Sequence, residues 1–427
     1  MAERRHDDLI ARDARRTWHP YTQHGSDPEP LPVVAAEGAW LVLADGRRVL
    51  DAISSWWTCL HGHGEPRLVA AMRRQAATLD HVLFAGATHP AAVALAEALV
   101  ELAPPGLARV FYSDDGSTAV EVALKLVVQA HAQAGAPERR VFVALEHGYH
   151  GDTFGAMAVG DPEPFFRAFA PLLFEVRRVP VDEDATAVAA ALAELGPRAA
   201  GVVVEPLVQG AGGMRMHGPG FLRGARAACD AAGVPLVADE VMTGFGRTGA
   251  WFACERADVT PDVLCLAKGL TGGMVPLAAT LVAEPWFARF VAEDRARMLF
   301  HGHSFTAWPI GCAVALESLA LAREREVPAR LDALGARIHA ALVEALPSYA
   351  PVRDLRRTGG IVAVDVVPDG DAGYLAEVAP RLRRRALERG LLLRPLGNVL
   401  YAMPPACLTD AEADRLGTDM AGLVMSP

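Results

Sequence analysis

From about residue 70 to residue 319 the spacing of apolar positions switches repeatedly between two periods. Stretches with apolar residues three and four apart, such as AVEVALKLVVQA at 119–130, predict helices with one buried face. Between them lie short β-branched runs at 109–112, 141–145, 201–204, 235–238, 263–266 and 277–282, which predict strands. The Ala-rich stretch 185–195 also has helical spacing rather than the composition of a linker. Strands alternating with helices in this way make an α/β domain with a mainly parallel sheet.

The flanks read differently. Residues 33–53 form an antiparallel element around the turn Asp45-Gly46, and the chain beyond Thr358 mixes a strand at 361–366 with a helix near 374–389. The expected organisation is a large α/β domain over 66–325 and a smaller α+β lobe assembled from both chain ends, 1–65 and 326–427.

Composition narrows the function. Hydrophobic residues make up 52% of the 427 and aromatics only 7%, so the interior is mostly Ala, Val and Leu, as in a globular enzyme. The formal charge of −10 and the absence of any basic stretch interleaved with aromatics exclude a nucleic-acid surface. The run Arg383, Arg384, Arg385 reads as a solvated helix face. The start MAERRHDDLIARDARR has no apolar core of signal-peptide type, and no run approaches the ~18 apolar residues of a membrane span. A cytoplasmic protein without a membrane partner is expected. Cys59, Cys229, Cys254, Cys265, Cys312 and Cys407 show no C-x-x-C pair or zinc spacing, so they read as small buried hydrophobes and no metal is expected. Only two of the 41 basic residues are lysines, Lys125 and Lys268.

Functional groups of a parallel sheet collect at the carboxyl ends of its strands. After the first strand, Gly116 and Ser117 open a helix whose free N–H groups suit a phosphate, although an ordinary N-cap has the same pattern. The next strand ends in a polar loop where Tyr149 offers a ring to a planar cofactor and Asp152 a carboxylate to orient a neighbour; a packing tyrosine in a glycine-rich turn is the plainer reading. Glu205 and Asp239 follow later strands, where an acid often serves only as a cap or in an ion pair. Lys268 comes directly after the strand at 263–266, where a partly desolvated amine can act as a nucleophile and arginine cannot. Lys125, inside a helix pattern, has a surface or snorkelling role. Aspartate, lysine and a phosphate-binding helix start together are what pyridoxal 5′-phosphate requires. Lys268 condenses with its aldehyde, Asp239 keeps its ring nitrogen protonated, and Gly116 and Ser117 receive its phosphate.

The stretches LVADEVMTGFGRTGAWFACE and PDVLCLAKGLTGG resemble the class III, fold-type I aminotransferases that use pyridoxal phosphate, and the similarity runs along nearly the whole chain. The resemblance implies a large domain with a mainly parallel seven-stranded sheet and a smaller α+β domain from both chain ends. Within the class, Trp18-His19-Pro20-Tyr21-Thr22-Gln23, Ser54-Ser55-Trp56-Trp57, 148–153 and 208–216 are similar to the branch that aminates 8-amino-7-oxononanoate for biotin synthesis with S-adenosylmethionine as donor. Lysine or another ω-amino or polyamine donor is the alternative. A non-catalytic protein that keeps only the fold is a reading of a different class, against which Lys268 stands.

Residue by residue, the resemblance implies that Tyr149 stacks on the cofactor ring and Val241 covers its other face. Tyr21, Trp56, Trp57, Asp152, Arg247, Gly302 and Tyr401 belong to the substrate pocket, and Arg394 pairs with the substrate carboxylate. Two adjacent tryptophans on a strand face opposite ways, so one of Trp56 and Trp57 faces a cleft. The segment 301–305 resembles the one through which each subunit of a homodimer reaches its partner's cofactor phosphate, with Ser304 as donor. Here His303 and Ser304 stand where several members have proline and threonine, and Trp308 stands where they have asparagine.

Overall fold

Seven strands form the central sheet, in the spatial order Leu107–Ser113, Ala278–Ala283, Val263–Leu266, Leu236–Asp239, Ala199–Val204, Val141–Leu145, Val176–Val179. The computed structural model describes residues 2–425, with side chains from Asp8 onward; the first residues of the stretch expected to lack a signal peptide, and 426–427 at the other end, lie outside the described residues. Ala278–Ala283 runs antiparallel to both neighbours, and the other pairs detailed are parallel. Val141–Leu145, Ala199–Val204, Leu236–Asp239 and Val263–Leu266 are buried at every position, which is why they read as unbroken apolar runs. The strand Val176–Val179 was not expected: it lies at the sheet edge, carries Arg177 and Arg178, and buries only Val179.

The helix Gly116–Gln133 starts where Asp115 accepts from the Thr118 N–H while the Asp115 N–H donates back to the Thr118 hydroxyl, a reciprocal cap. Its apolar face, Ala119, Val120, Ala123 and Val127, packs with sheet residues Phe142, Ala144, Val203, Val237 and Val263. The Thr280 hydroxyl bonds the Ala119 carbonyl at 2.8 Å and fixes the first turn on the sheet. This unit comprises Pro66–Ala333 with Thr358–Gly360.

The second unit comprises Met1–Glu65, Leu334–Arg357 and Ile361–Pro427. In it Val33–Glu37, Trp40–Leu43 and Arg48–Asp51 pair antiparallel, and Leu391–Leu392 adds in parallel to Arg48–Asp51, so distant parts of the chain share one sheet. A second sheet orders Val352–Thr358, Ile361–Val366 and Val399–Ala402. The helix expected near 374–389 spans Val378–Glu388. Of the three consecutive arginines on it, Arg384 is exposed, while Arg383 and Arg385 are half-buried. Burial, with the Arg394 charge nearby, lowers the pKa of Arg383, which corrects the fully solvated face expected for this run.

Five cysteines are buried and Cys407 is exposed; all six are free thiols. Among the described residues no helix is long and apolar enough to cross a membrane, and no cluster of metal-ligating side chains occurs.

Candidate active site

Asp239 is the last residue of its strand, and its carboxylate is fixed from two sides. His150 Nδ1 donates to Oδ2 at 2.7 Å, and the Val241 N–H donates to Oδ1 at 3.0 Å. Burial opposes charging of His150, but the hydrogen bond to Asp239 and the charges of Asp239 and Glu205 outweigh it and raise the pKa of the imidazole. The neighbouring acid, Glu240, has a different task. It is fully buried and accepts from the Ala253 and Cys254 N–H groups and the Thr243 hydroxyl, holding the turn that follows the strand.

Glu205, 6% exposed, accepts from the Tyr149 N–H at 2.9 Å and the Gly210 N–H at 2.8 Å, so one carboxylate ties together the loops after two adjacent strands. Burial pushes its pKa up to about 7. Lys268 follows Val263–Leu266 with left-handed backbone, φ +44°. Part of its side chain reaches solvent, yet the surrounding protein disfavours the ammonium and lowers its pKa to about 8, against the opposing pull of Asp239 and Glu205. Near neutral pH the amine therefore has a substantial neutral fraction.

Two glycines allow the elements around these groups to approach closely. A Cβ on Gly116 would stand 2.5 Å from a Val241 methyl, and one on Gly151, at φ +121°, would stand 2.4 Å from Ser117 Cβ and 2.8 Å from Ser117 Cα. The Ser117 hydroxyl accepts from the Thr153 N–H at 3.0 Å and lies 2.8 Å from the Thr153 hydroxyl. Tyr149 stacks near Phe166 at 6.1 Å and donates its hydroxyl to Asp152 at 3.0 Å. Arg247 is 1% exposed, and its charge acts on Lys268. Gly116, Ser117, Tyr149, Asp152, Asp239, Val241, Arg247 and Lys268 thus all belong to one unit. His150 and Thr153 were not assigned from the sequence, although both lie in the loop that drew attention to Tyr149.

Gly302 and Ser304 belong to a segment strapped to the same unit. Lys125, Gln129 and Gln133, four residues apart on one helix face, donate to the Phe300, Met298 and Arg297 carbonyls at 2.9, 2.7 and 2.8 Å. The Trp308 indole donates to the Asp80 carbonyl at 2.9 Å, and Ser304 is exposed. Lys125 is therefore a tether rather than only a snorkelling surface residue.

The remaining expected residues lie in the other unit. Ser54–Trp57 is not a strand: its four residues have φ of +50°, +46°, +80° and +75°. This corrects the strand argument for the tryptophan pair, since a left-handed turn separates the rings. Such backbone costs roughly 1–3 kcal/mol per non-glycine residue and persists only where surrounding bonds hold it. Asp51, fully buried, accepts from the Ile53 and Ser55 N–H groups and from the Ser55 hydroxyl at 2.7 Å, and the Ser54 hydroxyl donates to the Met403 carbonyl at 2.8 Å. Trp57 is buried and donates to the Tyr401 hydroxyl at 3.0 Å; Tyr401 is only 1% exposed. Trp56 is 37% exposed, with the Arg394 guanidinium 4.8 Å from its ring centroid and Tyr21 edge-on at 5.9 Å. Arg394 also donates to the Tyr21 carbonyl at 3.2 Å. The structure brings Tyr21, Trp56 and Arg394 into one cluster and Trp57 and Tyr401 into a buried pair.

Comparison with known proteins bears on the whole chain. The family model for class-III aminotransferases matches residues 21–423. An adenosylmethionine-8-amino-7-oxononanoate aminotransferase from Synechococcus elongatus is 48% identical over 421 residues, covering 95% of this chain and 98% of the relative. The crystal structure of the enzyme of that name from Methanocaldococcus jannaschii superposes with a TM-score of 0.93 at 32% identity, covering 98% of each chain. An amine transaminase from an uncultivated Pseudomonas species, solved in its PLP-bound form, superposes with a TM-score of 0.88 at 30% identity, covering 96% of this chain and 98% of that one. Similarity of this extent, on a fold that carries a lysine, an aspartate and a glycine-opened helix start at its strand ends, makes the chain a member of the class-III aminotransferase family.

Proposed function

We propose that the chain transfers the amino group of S-adenosylmethionine to 8-amino-7-oxononanoate, yielding 7,8-diaminononanoate for biotin synthesis. The observation that carries the choice of acceptor is the Arg394 guanidinium set over Trp56 and bonded to the Tyr21 carbonyl. A planar cation on an aromatic face suits a carboxylate at the end of an aliphatic chain. The name of the relatives that align with nearly the full chain supports the same reading.

Pyridoxal 5′-phosphate is the cofactor of this family, and the residues present fit it. Gly116 and Gly151 let Val241 and Ser117 come closer than a Cβ would allow, and Ser117 with the first N–H groups of its helix suits the phosphate. Asp239, held by His150 and the Val241 N–H, would keep a proton on a ring nitrogen. Tyr149 and Val241 would take the two ring faces. Bound there, the cofactor supplies the electron sink that amino transfer needs.

The chain's own groups do the rest. Lys268 Nζ, with its pKa near 8, would take the proton from the donor's amino-bearing carbon and, in the second half-reaction, give one to the acceptor's former ketone carbon. Asp239 stays bonded to His150, and Glu205 holds the Tyr149 and Gly210 loops at fixed spacing. The chain acts as a homodimer in which Ser304 reaches the partner's phosphate site and Gly302 belongs to the substrate pocket. Exposure of Ser304 between Phe300, 61% exposed, and Phe305, 55% exposed, supports that reading. Free thiols at all six cysteines agree with a cytoplasmic location.

The test mixes cofactor-loaded protein separately with S-adenosylmethionine and with lysine and follows the cofactor absorbance. A change with S-adenosylmethionine alone supports the proposal. A change only with lysine moves the donor, and no change with either refutes it.

A further inference from the structure

One cluster in the smaller unit has no part in the chemistry so far. Asp51, His63, Ser55 and Cys59 converge beneath the Ser54–Trp57 turn. His63 Nε2 donates to Asp51 Oδ2 at 2.8 Å, and the same oxygen accepts from the Ser55 hydroxyl at 2.7 Å. Cys59 Sγ lies 3.8 Å from His63 Nδ1. The backbone of His63 is locked as well: it exchanges N–H···O bonds with Gly38 at 2.7 and 2.9 Å.

Asp51 has no accessible surface, so its charge needs a partner within the protein. His63 is that partner. The hydrogen bonds to Asp51 and Cys59 raise the imidazole pKa to about 10, so the imidazole is charged at neutral pH. Asp51 Oδ2, which faces His63, also accepts from the Ser55 hydroxyl, while Oδ1 accepts from the Ile53 and Ser55 N–H groups, and these bonds hold the left-handed turn. Next in the chain after Ser55 is Trp56, whose ring carries Arg394 and Tyr21.

We propose that Asp51 and His63 form a positioning pair for the acceptor site: through Ser55 they hold the Ser54–Trp57 turn in the conformation that lays Trp56 against Arg394, and so set affinity for an acceptor bearing a carboxylate. The proposal rests on the functional reading above, in which Arg394 receives that carboxylate. His63 touches no reacting atom, so its loss acts on binding rather than on the amino-transfer step.

The test compares wild type, His63→Leu and His63→Gln, each loaded with cofactor and checked for its absorbance and thermal midpoint. The acceptors are 8-amino-7-oxononanoate and the same amino ketone lacking the carboxylate. In His63→Leu the KM for the carboxylate acceptor rises about tenfold while kcat stays within about twofold, and the KM for the other acceptor is unchanged. His63→Gln, whose amide still donates to Asp51, recovers most of the affinity. An equal rise for both acceptors, or a fall in kcat at constant KM, overturns the proposal. Should wild type fail to use 8-amino-7-oxononanoate, the functional reading fails by itself. The clamp is then decided by the fluorescence difference between each protein and its Trp56→Phe version, which shifts in His63→Leu if the pair holds the ring and stays fixed if it does not.

Discussion

His150 Nδ1 and Asp239 Oδ2 stand 2.7 Å apart in a setting that leaves the histidine side chain 1% exposed and the aspartate side chain 6% exposed. The histidine makes a buried carboxylate affordable and aims it. Asp239→Asn, which removes the charge, is expected to lower kcat by about 10³-fold. His150→Phe leaves the charge but removes its aim, and is expected to cost about 10- to 100-fold, the worth of one hydrogen bond to an ion. Steady-state rates of the two loaded variants, in that order of severity, check the division of labour.

Lys268→Ala is expected to lower turnover by more than about 10³-fold while the protein still takes up cofactor non-covalently, seen as a shifted absorbance band. Turnover at the wild-type rate would end the assignment of Lys268 as the proton carrier.

The raised pKa of Glu205 gives a slope to stability. The folded state keeps a proton on this carboxyl up to about pH 7, whereas the unfolded chain releases it near 4.5, so folded protein binds more protons in that window. Stability contributed there is present below pH 4.5 and is lost as pH rises to 7. The loss is on the order of 3 kcal/mol at most. Glu240, pushed up to about 7 by burial, adds a slope of the same sign. Glu205→Gln should flatten the decline measured by urea unfolding of cofactor-free protein between pH 4.5 and 7; an unchanged slope would mean that burial does not hold this proton.

Gly151 is required by both backbone and space. With φ +121° and a Cβ that would approach Ser117 Cα to 2.8 Å, Gly151→Ala should destabilise the chain by about 2–3 kcal/mol in urea unfolding and weaken cofactor binding measured by titration. Wild-type stability and affinity would show that the loop yields freely.

The sequence disclosed what local pattern and scarcity can disclose. Four strands buried on both faces announce themselves as apolar runs, and Lys268 stands out because arginine replaces lysine almost everywhere else. The edge strand Val176–Val179 stayed hidden because Arg178 spends its guanidinium on the Ala158 and Gly160 carbonyls, a use no periodicity marks. Ser54–Trp57 was misread as extended because its left-handed backbone is imposed by Asp51 and Met403, the second 349 residues away from Ser54. His150 and Asp239, 89 residues apart, become partners only when two parallel strands bring their ends together. Their union had no sign in either segment.

The Lys125 tether has a practical side. Because the chain has only two lysines and Lys268 is largely enclosed, an amine-reactive dye has one exposed side-chain target, at the seam between the Gly116–Gln133 helix and the Phe300 carbonyl. The same bond that straps residues 297–301 down makes that seam an address at which, once the α-amine is blocked, a reporter can be installed on a native lysine without introducing a cysteine.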